Sequence, residues 1–264
     1  MSAVRFLVLL LILLSPQAAS RAQAMASDCL AMAQAPGFVP VQYSAPTLAA
    51  DEVQLTFLGH STFLIESAGG VKIATDYSGY AGGIVPDVAT MNHAHRSHYT
   101  DFPDPAIKQV LRGWNPEGGP ARHDLTVGDV RIRNVTTDIR AMGGAVPDGN
   151  SIFIFEVAGL CIGHLGHLHH ELSNAQLAAI GRLDIVLVPV DGTYTMAQAN
   201  MLNVLKELKA RLVLPMHYFT PETLQRFING LSGELDVEIS GKASVTVSAR
   251  TLPEKPKLLV LPGY

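Results

Sequence analysis

Alternating apolar and polar side chains dominate the first half of this chain, and helical spacings enter only in the second. Residues 53–58, 62–66 and 71–75 alternate in this way and read as short strands, with Gly69-Gly70 as the turn between the last two. Asp76 closes the third strand. The spacing predicts a short helix over 105–112, stopped at Gly113. Residues 125–127 and 130–135 flank Gly128-Asp129, and residues 151–157 and 160–163 flank Ala158-Gly159; both are hairpin signals. The rhythm then changes. Ser173 with Gln176 forms a capping-box pattern that opens a helix running to Gly181. Residues 184–188 read as a buried strand, and Thr195 as the cap of a helix over 196–209. Residues 211–214 are the next strand, and Thr220-Pro221 starts a helix that ends near Gly230. Strands return around 237–239, 245–248 and 258–261. Strands interleaved with helices, without a linker, repeat or low-complexity tract, predict one α/β domain of two sheets packed face to face with helices outside.

The first fifty residues follow another logic. Arg5 precedes an apolar run over 6–14, Ser15-Pro16 breaks it, and Ala22-Gln23-Ala24 supplies a small-x-small cleavage site. This is the layout of a secretory signal peptide over 1–24, and the run falls short of the roughly 20 apolar residues needed to span a bilayer. Residues 25–50, rich in Ala, Pro and Gln, read as a lead segment draped over a domain of residues 51–264. Cleavage leaves about 240 residues, enough for one large domain with a full core. The expected location is periplasmic or secreted, with no membrane contact after cleavage. The chain carries 19 Lys and Arg against 23 Asp and Glu, a formal net charge of −4, with no basic run. That balance points away from nucleic acid and from anionic lipid; a small-molecule substrate is the partner expected. An export route also permits a disulfide between the two cysteines, Cys29 and Cys161.

The chemistry lies in the histidines. Of ten, all but His123 fall at element ends or in loops around proposed strands. Met91-Asn92-His93-Ala94-His95-Arg96-Ser97-His98 spaces three imidazoles at i, i+2 and i+5. Imidazole is the commonest side-chain ligand for zinc and related metals, so this segment reads as a strand end opening into a metal-binding loop. A second cluster, Gly163-His164-Leu165-Gly166-His167-Leu168-His169-His170, follows a strand. A third site is His217 in Pro215-Met216-His217-Tyr218. His60 sits between two strands and suits either a packing or a catalytic role. Asp191, after another strand, suits either a turn or the site. Tyr194, Tyr218 and Trp114 are candidate pocket walls, and Arg133 and Arg140 candidate contacts to an anionic substrate.

In this order the landmarks resemble the metallo-β-lactamase superfamily, in particular its ascorbate-phosphate-lactonase-like branch of metal-dependent hydrolases. Residues 57–65 resemble that branch's opening strand pair, and Asp76 its buttressing Asp. The His-x-His-x-Asp-His signature falls on His93, His95, Ser97 and His98. His-x-Gly-Asp falls on His164, Leu165, Gly166 and His167, and the last ligand on His217. The resemblance implies a four-layer αββα sandwich with a metal site at one edge between the sheets. Two departures stand out: Ser97 replaces a ligating Asp, and His167 replaces the carboxylate that bridges two metals. His93, His95 and His164 then suit one tetrahedral zinc with a water in the fourth place. His98, His217 and His167 form a conditional second site, because two close dications on neutral ligands repel strongly. Manganese and iron are alternatives to zinc.

The resemblance implies a hydrolase, exported if residues 1–24 act as read above, that turns a metal-bound water or hydroxide on an ester, lactone, lactam or phosphodiester bond. Ser97 can hydrogen-bond a water but cannot act as a base near pH 7. His167, His170, His60 and Asp191 are therefore the candidate acid/base groups, with Ser97 able to hold the nucleophilic water. The alternative is a non-catalytic member of the superfamily that binds metal or ligand only.

Overall fold

The computed structural model describes residue 29 and residues 48–93, 95–141, 144–231 and 233–262. The expected signal peptide lies outside them, as does the lead segment apart from Cys29 and residues 48–50. Among the described residues, fourteen strands and three helices follow in chain order. The first sheet collects β1 (Val53–Gly59), β2 (Thr62–Ser67), β3 (Lys72–Ala74), β4 (Val88–Met91), β5 (Gln109–Arg112) and β13 (Ser244–Val247), in the order β13-β1-β2-β3-β4-β5. The second collects β6 (Asp124–Val127), β7 (Val130–Ala141), β8 (Gly144–Val157), β9 (Leu160–His164), β10 (Ile185–Pro189), β11 (Leu212–Met216), β12 (Asp236–Ile239) and β14 (Lys257–Val260). Its order is β12-β14-β11-β10-β9-β8-β7-β6.

The core forms where these sheets face each other. Leu55, Phe63, Ile65 and Ile73 from one sheet meet Ile132, Phe153, Phe155, Leu187 and Leu214 from the other. The opposite face of the second sheet is apolar too, which is why β9, β10 and β11 are buried at every position. Three helices cover it: α1 (Asn174–Ile180), α2 (Gln198–Leu208) and α3 (Pro221–Gly230). Ile180, Met201, Val204 and Phe227 pack there against Ile154, Val186 and Val213. The outer face of the first sheet is covered by loop residues, with Tyr77, Ala81 and Ile107 packed on Ala74, Ala89 and Met91. The αββα frame thus has one helical outer layer and one built largely from loops. Cys29 is bonded to Cys161 on β9 across a separation of 132 residues.

Three expectations change. Residues 105–112 do not form a helix: Asp104 caps a turn through Ala106 N and Ile107 N, and β5 then pairs in parallel with β4. An eight-residue helix is marginal alone, whereas Val110 and Leu111 complete a sheet edge. The second helix starts at Gln198 rather than 196, because the Thr195 hydroxyl is bound to Asp191 and is not free to cap it. β7 and β8 extend far beyond the predicted hairpin arms, pairing from Arg131–Glu156 out to Ala141–Gly144. Both expected helix starts at Ser173 and Thr220 form, the first with a complete capping box and the second with Pro221 in its first turn.

Candidate metal centre

β9, β10 and β11 run parallel, so their C-terminal ends open on the same edge. That edge carries His164 as the last residue of β9 and His167 just beyond it, Asp191 after β10 and His217 after β11. The first sheet brings the β1–β2 turn with His60 and Ser61, then Asp76 after β3 and the His93–His98 loop after β4. A backbone bond of 2.6 Å from His217 N to His60 O joins the two sheets here. His60, Asp76 and His217 all adopt positive φ, at 50°, 43° and 55°. Side chains rarely adopt that region, and such strain gathers where surrounding structure holds a site in place.

At the centre, His98 Nε2 and His217 Nε2 face each other at 3.1 Å. The far nitrogen of each ring rests on a buried carboxylate. His98 Nδ1 lies 2.6 Å from Asp76 Oδ2, and His217 Nδ1 lies 3.0 Å from Asp191 Oδ1. Burial alone would raise both carboxyl pKa values. Charge from His98 and His164, with hydrogen bonds from His98 and Asn92, outweighs it at Asp76 and holds that group well below the ordinary carboxylate range. Hydrogen bonds from His217, Thr195 and Thr193 do the same at Asp191. Both carboxylates are therefore ionised acceptors, and the two Nδ1 atoms carry the protons. The two Nε2 atoms are thereby turned toward each other.

Two more imidazoles flank this pair. The His60 ring lies 4.3 Å from His217 and 5.0 Å from His98, centroid to centroid, and its buried Nε2 has no hydrogen-bond partner among the described residues. Ligand atoms of His60, His98 and His217 all lie within 4.8 Å of one another. Burial, then the charges of His217 and His98, lowers the His60 pKa to about 4, which keeps its ring neutral. His167 is on the other side, 4.9 Å from both His98 and His217, and its Nε2 is also buried without a partner among the described residues. Its Nδ1 meets His169 Nε2. Burial dominates in holding its pKa below the usual imidazole range.

These residues fit a cation. Two Nε2 atoms facing each other at 3.1 Å need something positive between them, a proton or a cation. The two buried carboxylates supply the negative charge to balance one dication. Asp76 and Asp191 stand behind these rings as Nδ1 partners, the position from which an outer carboxylate orients an imidazole and raises its basicity toward a metal.

The expected tight set of His93, His95 and His164 is not what the fold assembles. His164 spends both ring nitrogens on backbone groups: Nε2 lies 2.9 Å from Ser61 O, and Nδ1 accepts from Gly166 N at 3.1 Å. His93 is exposed and stacks on Trp114 at 4.9 Å. His95, also exposed, borders the cluster with its ring 4.9 Å from His167. The expected second set, His98, His217 and His167, is gathered, and His60 joins it. Ser97 is exposed on the turn before His98. Asp191 is no free base, because its oxygens serve Thr193, Tyr194, Thr195 and His217. Arg133 is buried on Glu156 and the carbonyls of Ala179 and Ile180, away from any substrate role. His170 is turned outward, accepting from Asp138 N and meeting Glu171 O. Tyr218 packs on Phe57 in the core. Tyr194 and Phe219, 57% and 55% exposed, form the rim, with Phe219 5.2 Å from the His217 ring. Phe219 had given no sequence signal.

The family model described as "Beta-lactamase superfamily domain" matches residues 54–217. A UPF0173 metal-dependent hydrolase of Methanoregula boonei is 25% identical over 202 residues, covering 70% of this chain and 90% of its own. Another of that name, from Pyrococcus furiosus, is 28% identical over 196 residues, covering 64% of this chain and 85% of its own. Among solved structures, a candidate zinc-dependent hydrolase of the metallo-β-lactamase superfamily from Thermotoga maritima aligns with a TM-score of 0.58 and 27% identity, covering 80% of this chain and all of its own. Igni18, a metallo hydrolase from Ignicoccus hospitalis, shares the fold with a TM-score of 0.50 and 23% identity, covering 75% of this chain and 99% of its own.

Proposed function

We propose a hydrolytic role from one premise: the chain belongs to the beta-lactamase superfamily, whose family model spans residues 54–217. In this reading it is a metal-dependent hydrolase with a single divalent cation held by His98, His217 and His60. The carrying observation is the pair of Nε2 atoms facing each other at 3.1 Å, each ring locked from behind by a buried carboxylate. An all-imidazole donor set suits zinc, and iron next. When bound, such a cation supplies a Lewis acid and brings the pKa of water down to about 7.

The chain's residues do the rest. Asp76 and Asp191 hold the ligand rings in register and balance charge. His95 borders the cluster from the exposed side. Tyr194 and Phe219 offer flat apolar faces at the mouth, which suits a small substrate presenting an ester, lactone, lactam or phosphodiester bond beside an apolar group.

The test pairs elemental analysis of the purified mature protein with a panel of those four bond types. Zinc should co-purify at a single cation per chain. His98→Ala and His217→Ala should each lose metal and turnover together. Turnover that survives both substitutions and a chelator would sink the reading.

The same proposal includes export to the periplasm or medium. Support comes from the signal-like layout of residues 1–24 and from the Cys29–Cys161 bond, since disulfides persist in oxidising compartments. Protein recovered from the periplasm or medium should begin at Met25. Cytosolic protein retaining residues 1–24 would overturn the export claim.

A further inference from the structure

We propose that His167 serves this site as a hydrogen-bond donor rather than a ligand, presenting its Nε2–H to the substrate oxygen on which negative charge develops, with Arg140 fixing that state through His169. The proposal deepens the hydrolase reading and rests on it.

The derivation needs only donors that cannot act otherwise. Arg140 N donates to His169 Nδ1 at 2.7 Å, and Arg140 Nε donates to the same atom at 3.3 Å. Neither a backbone N–H nor a guanidinium N–H can accept. His169 Nδ1 is therefore the acceptor, and the neutral ring carries its proton on Nε2. That Nε2 meets His167 Nδ1, so His167 Nδ1 must accept, and the His167 proton sits on Nε2. This is the reverse of His98 and His217, whose Nδ1 atoms donate to carboxylates. One residue type thus takes two roles, chosen by the partner behind the ring.

The setting suits that donor. His167 is buried, its Nε2 has no partner among the described residues, and its ring lies 4.9 Å from His95, His98 and His217 alike. A buried N–H without an acceptor is costly, and at this place it awaits an acceptor that arrives with the ligand. Its backbone is fixed by His167 N donating to Asn150 Oδ1 at 2.7 Å. Arg140 is anchored in turn, its Nη2 donating to Thr193 O at 2.8 Å and Thr195 O at 2.7 Å. Those carbonyls belong to the loop that Asp191 organises, so one loop steadies both a ligand and the donor. The proton stays on Nε2 throughout: the bond stabilises a carbonyl or phosphoryl oxygen as it gains charge, in the manner of an oxyanion hole. His167 is then a catalytic residue, and His169 and Arg140 are positioning residues.

The experiment uses full-length mature protein, metal-free and zinc-loaded. Long-range ¹H–¹⁵N spectra of labelled histidine, assigned against His167→Ala, should show His167 protonated at Nε2 and bare at Nδ1 in both states. By chelator competition, His167→Ala should bind zinc as the parent does, while His98→Ala should lose tight binding. Turnover of His167→Ala should fall about 100- to 1,000-fold, the loss typical of one oxyanion donor. His167→Gln, whose amide Nε2 can donate, should recover part of it. His169→Asp gives His167 Nδ1 an acceptor, so the Nε2 lone pair turns inward; zinc affinity should rise while turnover falls. A zinc-bound or unprotonated His167 Nε2, or a loss of zinc in His167→Ala equal to that in His98→Ala, overturns the proposal. If no substrate turns over but Nε2 is protonated and zinc affinity is unchanged, the hydrolase reading fails and the donor assignment stands.

Discussion

At the scale of the residue, the fold assigns imidazoles their tasks by what lies behind each ring. Asp76 and Asp191 stand behind His98 and His217, the proposed ligands, while backbone groups occupy both nitrogens of His164. Asp191→Asn and Asp76→Asn remove that backing charge without changing side-chain size. Each should weaken metal affinity about 10- to 100-fold, as loss of such outer partners generally does. Chelator competition measures it, with circular dichroism as the control for folding; unaltered affinity would count against the charge-balance account. His98 and His217 were legible in the chain because they stand in an ordered set of motifs. His60 was not assigned as a ligand, because its place depends on a turn of one sheet meeting a strand end of the other. The exclusion of His164 was equally hidden, since it depends on two backbone groups, Ser61 O and Gly166 N, from different sheets.

Among the elements, the loop after β9 is the most constrained. Gly166 has φ +59°, and a Cβ there would lie 2.4 Å from Asn150 Oδ1 and 2.5 Å from Asn92 Nδ2. Those amides hold His167 N and Asp76, so they cannot retreat without disturbing the site. Gly166→Ala should cost about 1–3 kcal/mol of stability through the strained backbone alone, and should lower metal affinity as well. Urea denaturation and metal titration would check both halves; a stable, metal-competent variant would contradict it. Elements with strong local signals were readable: the capping box at Ser173 and the Thr220-Pro221 start both form. The outer arms of β7 and β8 were not. Thr136, Thr137 and Asp138 lack apolar alternation, and the arms are strands because each pairs with the other. Residues 109–112 likewise are a strand because β4 offers an edge.

For the whole molecule, the buried histidines couple folding to pH. Burial is the main cause that lowers His60 and His169 to about 4, followed at His60 by the charge of His217 and at His169 by that of Arg140. In the unfolded chain both return toward 6.5. Between those values the unfolded state binds protons that the folded state refuses, so stability falls as pH falls from about 6.5 to 4. Asp76 and Asp191, held low in the fold, add a further loss below about pH 4. Melting of the metal-free protein should therefore move to lower temperature across that window, and a flat profile would refute the sign. The two-sheet frame has a second collective property. The 2.6 Å bond from His217 N to His60 O ties the sheets at the rim of the site, so that amide is released only when the layers part. It should behave as a slow clock for breathing of the sandwich, exchanging its hydrogen far more slowly than other loop amides. Zinc should slow the clock further, because a cation held from both sheets favours the closed state.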